Sequence, residues 1–287
     1  MIALPLLVAT VAVRRPHDAG LQTNNFWALK LGWRSCADCV LAGDSRIGSG
    51  LSPAAMSALL PGRRILNFGF DSARYSIGYL DAVDRVLDRA VGPRMVVLGV
   101  TPMSLLPTGA RGGGFERLRS DTGRLSRFEL ASLSALRSLE PMRLDTMARE
   151  LNPWRARNVV TTRWPDGWAA YAPPRGRSFV IHLLEATFGS QHVDPATTEQ
   201  LLGRVRTWTA AGVVVYAFRP PTCPETIDIE DRLSGFDERD FVDRFEAAGG
   251  VWISIPALAY DSSDGSHLYP AAAVTLSRDV ARVVGAR

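Results

Sequence analysis

Three polar residues, at two widely separated points of the chain, have the types that nucleophilic catalysis requires. Ser45 closes the segment Gly43-Asp44-Ser45, and Asp264 and His267 are spaced i, i+3 near the C-terminal end. This chemistry uses a hydroxyl, an imidazole that takes its proton and a carboxylate that orients the imidazole. Asp261 is a rival for the carboxylate, and Ser45 and Asp264-Gly265 are also ordinary turn residues. The sequence favours an acyl-transfer site if the fold brings the two segments together.

Five short apolar runs, separated by helical patterns, predict the elements that would do so. The runs are Cys39–Ala42, Arg64–Gly69, Met95–Val100, Val213–Phe218 and Val251–Ile255. Strands that alternate with helices form parallel sheets through right-handed crossovers. We therefore predict an α/β fold, a three-layer α/β/α flavodoxin-like sandwich with a five-stranded parallel sheet. In such folds ligands bind beyond the carboxyl ends of the strands, where Ser45 and His267 would meet.

The helical patterns carry start and stop signals. Ser52-Pro53 and Asp194-Pro195 each combine an N-cap residue with a first-turn proline. A third helix is predicted from apolar residues at helical spacing, with Gly92-Pro93 as its stop; these residues are Ile77, Leu80, Val83, Leu87 and Val91. The last helix is predicted from about Pro270 to Val284.

Residues 105–192 form a long insertion between the third and fourth predicted strands. Arginine is enriched between Arg111 and Arg163, which fits either a solvated surface or an anion-binding patch. Four large aromatic residues, among Pro and Gly, predict an irregular loop; they are Trp154, Trp164, Trp168 and Tyr171. Their rings either stack on sugar rings, with Trp168 as the substrate-binding candidate, or plug the loop onto its own scaffold. His182 is interpreted as a core histidine.

Composition and charge narrow the class of protein. The chain has 287 residues, 46% apolar, with a net charge of +4, too small a surplus to imply nucleic-acid binding. Lys30 is the only lysine, which we attribute to coding bias. Gly43-x₄-Gly48 has phosphate-loop spacing, but Ser49 stands where the essential lysine would be. We predict no metal and no organic cofactor.

The cysteines and the N-terminal segment give information about the cellular compartment of the protein. Of the three cysteines, Cys36 and Cys39 have a spacing that permits a disulfide without requiring one. Met1–Val13 is almost entirely apolar but shorter than the roughly 20 residues of a membrane span. Residues 1–25 are interpreted as a hydrophobic anchor or signal remnant, with a buried strand or helix as the alternative. Residues 26–287 are then a single α/β domain.

The Gly-Asp-Ser segment, Asn67-Phe68-Gly69, the Val-Leu-Gly-Val-Thr-Pro strand end and Asp264-x-x-His267 together resemble the SGNH, or GDSL, hydrolase superfamily. The likeness is nearest to membrane-anchored extracytoplasmic members akin to alginate and cell-wall O-acetylation proteins. It implies Ser45 as nucleophile, His267 as general base and Asp264 as its orienting partner. It also implies an oxyanion hole formed by the N–H groups of Ser45 and Gly69. The family's usual asparagine donor is replaced here by Thr101.

Several of these residues have a second interpretation. Gly69 is equally suited to a backbone that only glycine permits. Arg46 and Arg219 flank strand ends, where they either hold an anionic substrate group or form an ion pair.

The resemblance predicts a serine-dependent esterase or O-acyltransferase that works through an acyl-enzyme, on an ester such as the acetyl group of a carbohydrate. It places the protein outside the cytoplasm, membrane-associated or secreted. The alternative is a catalytically weak module of the same fold that binds glycan or an assembly partner. The Thr101 substitution favours the alternative, and the intact Ser45, Asp264 and His267 favour the enzyme.

Overall fold

A computed structural model describes residues 23–90, 92–108, 113–122, 161–170, 176–256 and 258–286 of the chain. Its strands are Cys39–Gly43 (β1), Ile65–Asn67 (β2), Arg94–Gly99 (β3), Thr162–Arg163 (β4), Ala169–Ala170 (β5), Val213–Phe218 (β6) and Val251–Trp252 (β7). Its α-helices are Thr23–Gly32 (α1), Ser45–Gly50 (α2), Pro53–Ser57 (α3), Ile77–Val86 (α4), Gly114–Thr122 (α5), Arg177–Phe188 (α6), Pro195–Ala210 (α7), Pro224–Leu233 (α8), Glu238–Ala247 (α9) and Pro270–Gly285 (α10). A 3₁₀ turn spans Pro102–Leu105.

Five strands form one sheet in the order β2-β1-β3-β6-β7, and every neighbouring pair is parallel. This is the flavodoxin-like order. From β1 the chain first moves to β2 on one side, and it then crosses back to β3 on the other side of β1. The predicted α/β fold with a five-stranded parallel sheet is confirmed. The switch point lies between β1 and β3, and Ser45 is the second residue after β1.

Alternation along the strands explains the three layers. In β1, Val40 and Ala42 join the core that packs against α1, α4, α7 and α9, whereas Cys39 and Leu41 face the opposite core with α3 and α10. Side chains of successive strand residues point to opposite faces, so a strand covered on both sides is apolar throughout. The continuous apolar runs of the sequence have this origin.

One helix prediction needs correction. The predicted helix from Ile77 ends at Val86, because the backbone then turns away so that the Asp88 N–H donates to the Ala37 carbonyl at 2.7 Å. Leu87 is buried in extended conformation rather than helical. Val91 lies outside the described residues.

His182 is exposed and does not belong to the core. It lies on α6, whose buried face consists of Val180, Leu184 and Phe188, and its Nδ1 lies 2.6 Å from the Ser178 carbonyl. An amphipathic helix buries one stripe only, and the position of His182 falls outside that stripe.

The described part of the insertion includes α5, α6 and the antiparallel pair β4–β5. Residues 123–160, which hold Trp154 and most of the arginine-rich stretch, lie outside the described residues, as do Tyr171 and the apolar N-terminal segment 1–22. Within the described ranges, no helix is both long enough and apolar enough to cross a membrane.

Candidate active site

Ser45 lies at a tight strand-to-helix turn, where β1 ends and α2 begins. Asp44 is the N-cap of α2, and its Oδ1 accepts a hydrogen bond of 2.9 Å from the Arg46 N–H. Ile47 packs tightly over Gly99 at the end of β3, where a Cβ atom would come within 2.1 Å of its side chain. A small residue on the neighbouring strand therefore makes room for this turn. Ser45 itself is partly exposed.

Asp264 and His267 belong to one tight turn that precedes α10. Asp264 Oδ1 accepts hydrogen bonds from the backbone N–H groups of Ser266, at 2.9 Å, and His267, at 2.8 Å. Gly265 has a φ of +90°, a conformation that L side chains rarely adopt. The turn thereby places the His267 imidazole against the Asp264 carboxylate.

The two segments meet and form a continuous chain of hydrogen bonds. His267 Nε2 lies 2.9 Å from Ser45 Oγ, and His267 Nδ1 lies 2.8 Å from Asp264 Oδ2. Both distances lie in the range of ordinary hydrogen bonds. The structure thus brings together the three residues that the sequence singled out, although 222 positions separate Ser45 from His267.

Asp264 is the carboxylate of this arrangement, and Asp261 is not. Burial alone would raise the pKa of Asp264, but hydrogen bonds from the His267 ring and from two backbone N–H groups lower it to about 2. An ionised carboxylate only accepts, so Nδ1 carries the imidazole proton and Nε2 is left to accept one from Ser45. Asp261 is exposed, and its contact with the turn is a backbone bond from the Tyr269 N–H to its carbonyl.

The predicted oxyanion donors differ in availability. Among the described residues, no hydrogen bond uses the Ser45 N–H. The Gly69 N–H, by contrast, donates to Asn67 Oδ1 at 2.9 Å, and the Asn67 amide is itself fixed by bonds to the Ile47 and Leu51 carbonyls. A Cβ on Gly69 would lie 2.4 Å from the Gly48 nitrogen, so glycine is required by close backbone approach. The structure therefore supports the geometric interpretation of Gly69.

Thr101 is not available as a replacement donor. It is fully buried, and its hydroxyl donates to Asp44 Oδ2 at 2.6 Å while accepting from the Ser104 N–H at 3.1 Å. Since a hydroxyl has one proton, none remains for a substrate oxygen. Burial raises the pKa of Asp44, and the charge of Arg46 and the Thr101 hydrogen bond oppose that rise. The expectation that Thr101 completes an oxyanion hole stays a prediction that this hydrogen bonding does not support.

Arg46 and Arg219 form ion pairs, the second of the two interpretations that the sequence left open for them. Arg46 Nη2 lies 2.5 Å from Glu230 Oε1, and Arg219 Nη2 lies 3.0 Å from Glu230 Oε2. Arg219 also pairs with Asp231 at 2.8 Å and Glu238 at 2.9 Å. The two pairs of Glu230 are more buried than expected for a surface bridge, since Glu230 is fully buried, whereas the Asp231 and Glu238 side chains are exposed.

Trp168 packs against the scaffold of the site. Its side chain is 8% exposed, and its indole Nε1 donates to the Ser49 carbonyl of α2 at 2.8 Å. One ring face stacks on Trp164, with centroids 4.3 Å apart. This packing is what the plugging interpretation describes, and it leaves little of the ring exposed for contact with a sugar.

Other site chemistries find little support in the described part of the chain. No cluster of three His, Cys, Asp or Glu side chains there could hold a metal ion. Cys36 and Cys39 are both free thiols, and burial raises the pKa of Cys39 to about 12. A buried thiol of high pKa is a poor nucleophile.

Sequence reasoning missed two residues beside this site, Lys30 and Glu230. Lys30 Nζ donates to the Gly69 carbonyl at 2.5 Å and to the Gly167 carbonyl at 3.1 Å. The available signal was its status as the only lysine. Glu230 lies on α8 among other charged residues, and nothing in the sequence marks it as buried.

In comparisons with known proteins, the sequence matches no family model and no curated protein.

Proposed function

We propose that this protein is a serine-dependent esterase or O-acyltransferase that forms an acyl-enzyme on Ser45. The observation that carries the proposal is the hydrogen-bonded chain from Ser45 Oγ through His267 to Asp264, with both links below 3 Å. A nucleophile next to a base that is itself oriented by a third group is the arrangement that activates serine. The residue pattern shared with SGNH hydrolases supports the same assignment.

The proposed reaction has two halves. In the first, His267 Nε2 takes the Ser45 proton while Oγ bonds to the ester carbonyl carbon, and the carbonyl electrons move to oxygen. The alkoxide then leaves with the proton from His267, and the acyl group stays on Ser45. In the second half, water or a sugar hydroxyl loses its proton to His267 and attacks the acyl carbon. The bond from that carbon to Ser45 Oγ then breaks, His267 returns the proton to Oγ, and an acid or a new ester is released.

For the substrate we propose an acyl ester of a carbohydrate, with acetyl as the group transferred. This step rests on the resemblance to O-acetylation proteins, as does a location outside the cytoplasm, membrane-associated or secreted. No nucleic acid is proposed as a partner, since the net charge of +4 provides no strong basic surface.

A second candidate function is a catalytically weak module that binds glycan or an assembly partner. The observation that favours it is the state of the oxyanion donors: the Gly69 N–H is bonded to Asn67, and the Thr101 hydroxyl is bonded to Asp44. Loss of one such donor costs about 10²–10³ in rate in serine hydrolases. A Ser45 that is activated by His267 but turns over slowly would be consistent with both the hydrogen-bonded triad and the occupied oxyanion donors.

The deciding experiment is labelling with a fluorophosphonate probe, which reacts with activated serines. We expect labelling of the wild type and none of Ser45→Ala. Ser190→Ala is the matched control, because Ser190 is exposed just after α6 and its hydroxyl donates to the Ala186 and Thr187 backbone carbonyls in the last turn of that helix. A folded wild-type protein that resists labelling would exclude the enzyme and leave the binding module.

A further inference from the structure

A buried charged network joins the residue after Ser45 to the residue before His267. Arg46 Nε donates to Ser266 Oγ at 3.1 Å, and the Arg46 side chain is only 4% exposed. Its Nη2 donates to Glu230 Oε1 on α8. One guanidinium therefore connects α2, α8 and the turn of Asp264 and His267.

Glu230 holds this guanidinium in place. It is fully buried and shares its two carboxylate oxygens between Arg46 and Arg219. Burial alone would lower the pKa of Arg46, but the carboxylates of Glu230 and Asp44 raise it above its ordinary value. Separating the two charges would leave each buried without a partner, which is strongly unfavourable. The Arg46 guanidinium therefore stays beside Glu230 in the folded protein.

Helix α8 and the segment that leads into it also hold the turn at a second point. The Gly265 carbonyl accepts hydrogen bonds from the Thr222 hydroxyl at 2.7 Å and the Thr226 hydroxyl at 2.6 Å. Thr226 and Glu230 are spaced i, i+4 and so lie on one face of α8. Two consecutive residues of the turn, Gly265 and Ser266, are thus held by the same rigid element, once directly and once through Arg46.

We propose that Arg46, fixed by Glu230, is a positioning residue that sets the distance between Ser45 Oγ and His267 Nε2 through Ser266. The proposal rests on the proposed function, because this distance matters to chemistry only if His267 activates Ser45. A misplacement of about 1 Å between reacting groups can cost about 10²-fold in rate. This role differs from binding an anionic substrate, which requires an accessible guanidinium.

The test is a double-mutant cycle between Arg46 and Ser266. Arg46→Lys keeps a positive charge beside Glu230 but lacks the forked donor geometry, and Ser266→Ala removes one hydroxyl. We expect each variant to lower the fluorophosphonate labelling rate and the kcat for p-nitrophenyl acetate by about ten- to a hundredfold, with KM unchanged. The double variant should be no slower than the slower single, because both changes remove the same contact.

Arg204→Lys is the matched control. It alters an arginine–aspartate pair, Arg204 with Asp81, that has no contact with the triad, and it should label at the wild-type rate.

Several outcomes would overturn the proposal. Wild-type labelling rates in folded Arg46→Lys and Ser266→Ala would overturn the positioning role and leave the proposed function standing. Additive losses in the double variant, or a rise in KM alone, would also overturn it. If Arg46→Lys does not fold, Ser266→Ala decides by itself. Absence of labelling in the folded wild type would overturn the proposed function and the positioning role together.

Discussion

Thr101 Oγ1 donates a hydrogen bond of 2.6 Å to Asp44 Oδ2, the carboxylate of the residue that precedes Ser45. The hydroxyl that was expected to face a substrate oxygen instead satisfies a buried carboxylate. Asp44 in turn caps α2 through the Arg46 N–H. Thr101 therefore supports the turn that presents Ser45, and its contribution is to structure.

Replacing Thr101 tests this assignment. Thr101→Val should lower the free energy of unfolding by about 1–3 kcal/mol, since it leaves a buried carboxylate oxygen without a donor. Thr101→Ser keeps the hydroxyl and should stay close to the wild type in stability and labelling. Urea unfolding measures both. Unchanged stability of Thr101→Val with a 10²–10³-fold loss of kcat would return the residue to the oxyanion hole.

The triad predicts non-additive losses. Ser45→Ala and His267→Ala should each abolish turnover of p-nitrophenyl acetate, because neither residue acts without the other across their 2.9 Å contact. The double variant should be no worse than either single variant. Steady-state rates of the three proteins, with circular dichroism to establish folding, provide the measurement. A double variant much slower than both singles would contradict a shared mechanism.

The carboxylate assignment has a matched control on the same turn. Asp264→Asn should lose most activity, because an amide in place of the acceptor at His267 Nδ1 disturbs the tautomer and orientation of the ring. Asp261→Asn should remain close to the wild type, since its side chain is exposed. The kcat of each variant on p-nitrophenyl acetate shows which aspartate orients His267. An inactive Asp261→Asn beside an active Asp264→Asn would reverse the assignment.

The fold and the local arrangement of this site could be predicted from the sequence. Apolar runs mark the buried strands, and residues that follow parallel strands must meet at one edge of the sheet. Asp264 and His267 are close in sequence, so one turn brings them together. These two facts were sufficient to predict the fold and the meeting of Ser45 with His267.

The remaining features depend on contacts that no spacing encodes. Whether the Gly69 N–H points to a substrate or to Asn67 Oδ1 depends on how the loop after β2 packs on α2. Arg46 and Glu230 are 184 residues apart, and each alone reads as a surface charge. The interior position of both follows only from their pairing, since an isolated buried charge is too costly to retain.

Trp168 is predicted to act on stability and not on substrate choice. Trp168→Ala should destabilise the fold by about 3–5 kcal/mol, because it empties a buried site and removes the bond to the Ser49 carbonyl. Trp168→Phe keeps the stacking partner of Trp164 and should cost less. Urea unfolding gives the stabilities, and kcat/KM on p-nitrophenyl acetate and on an acetylated oligosaccharide gives the selectivity. A loss confined to the oligosaccharide, at unchanged stability, would restore the substrate-binding role.

Lys30 connects α1 to the loop after β2 and to the turn between β4 and β5. It is fully buried, its Nζ donates to the Gly69 and Gly167 carbonyls, and it lies 4.9 Å from the ring centroids of Phe26 and Phe70. Burial lowers the pKa of Lys30 to about 7, against the opposing effect of Asp71 and Asp166. A neutral amine has two N–H groups, which match the two carbonyl acceptors.

Lys30 is therefore expected to make stability depend on pH in a defined direction. Between its folded pKa of about 7 and its ordinary value of 10.5, the unfolded chain binds a proton that the folded chain does not. Stability contributed by this residue must then rise as the pH increases through that window. We expect the difference in unfolding free energy between wild type and Lys30→Met to grow in favour of the wild type from pH 7 to pH 9.5, as measured by urea unfolding. Arg89→Met, which removes an exposed cation, should show a difference that stays constant with pH. A constant difference for Lys30→Met as well would mean that Lys30 remains charged inside the fold.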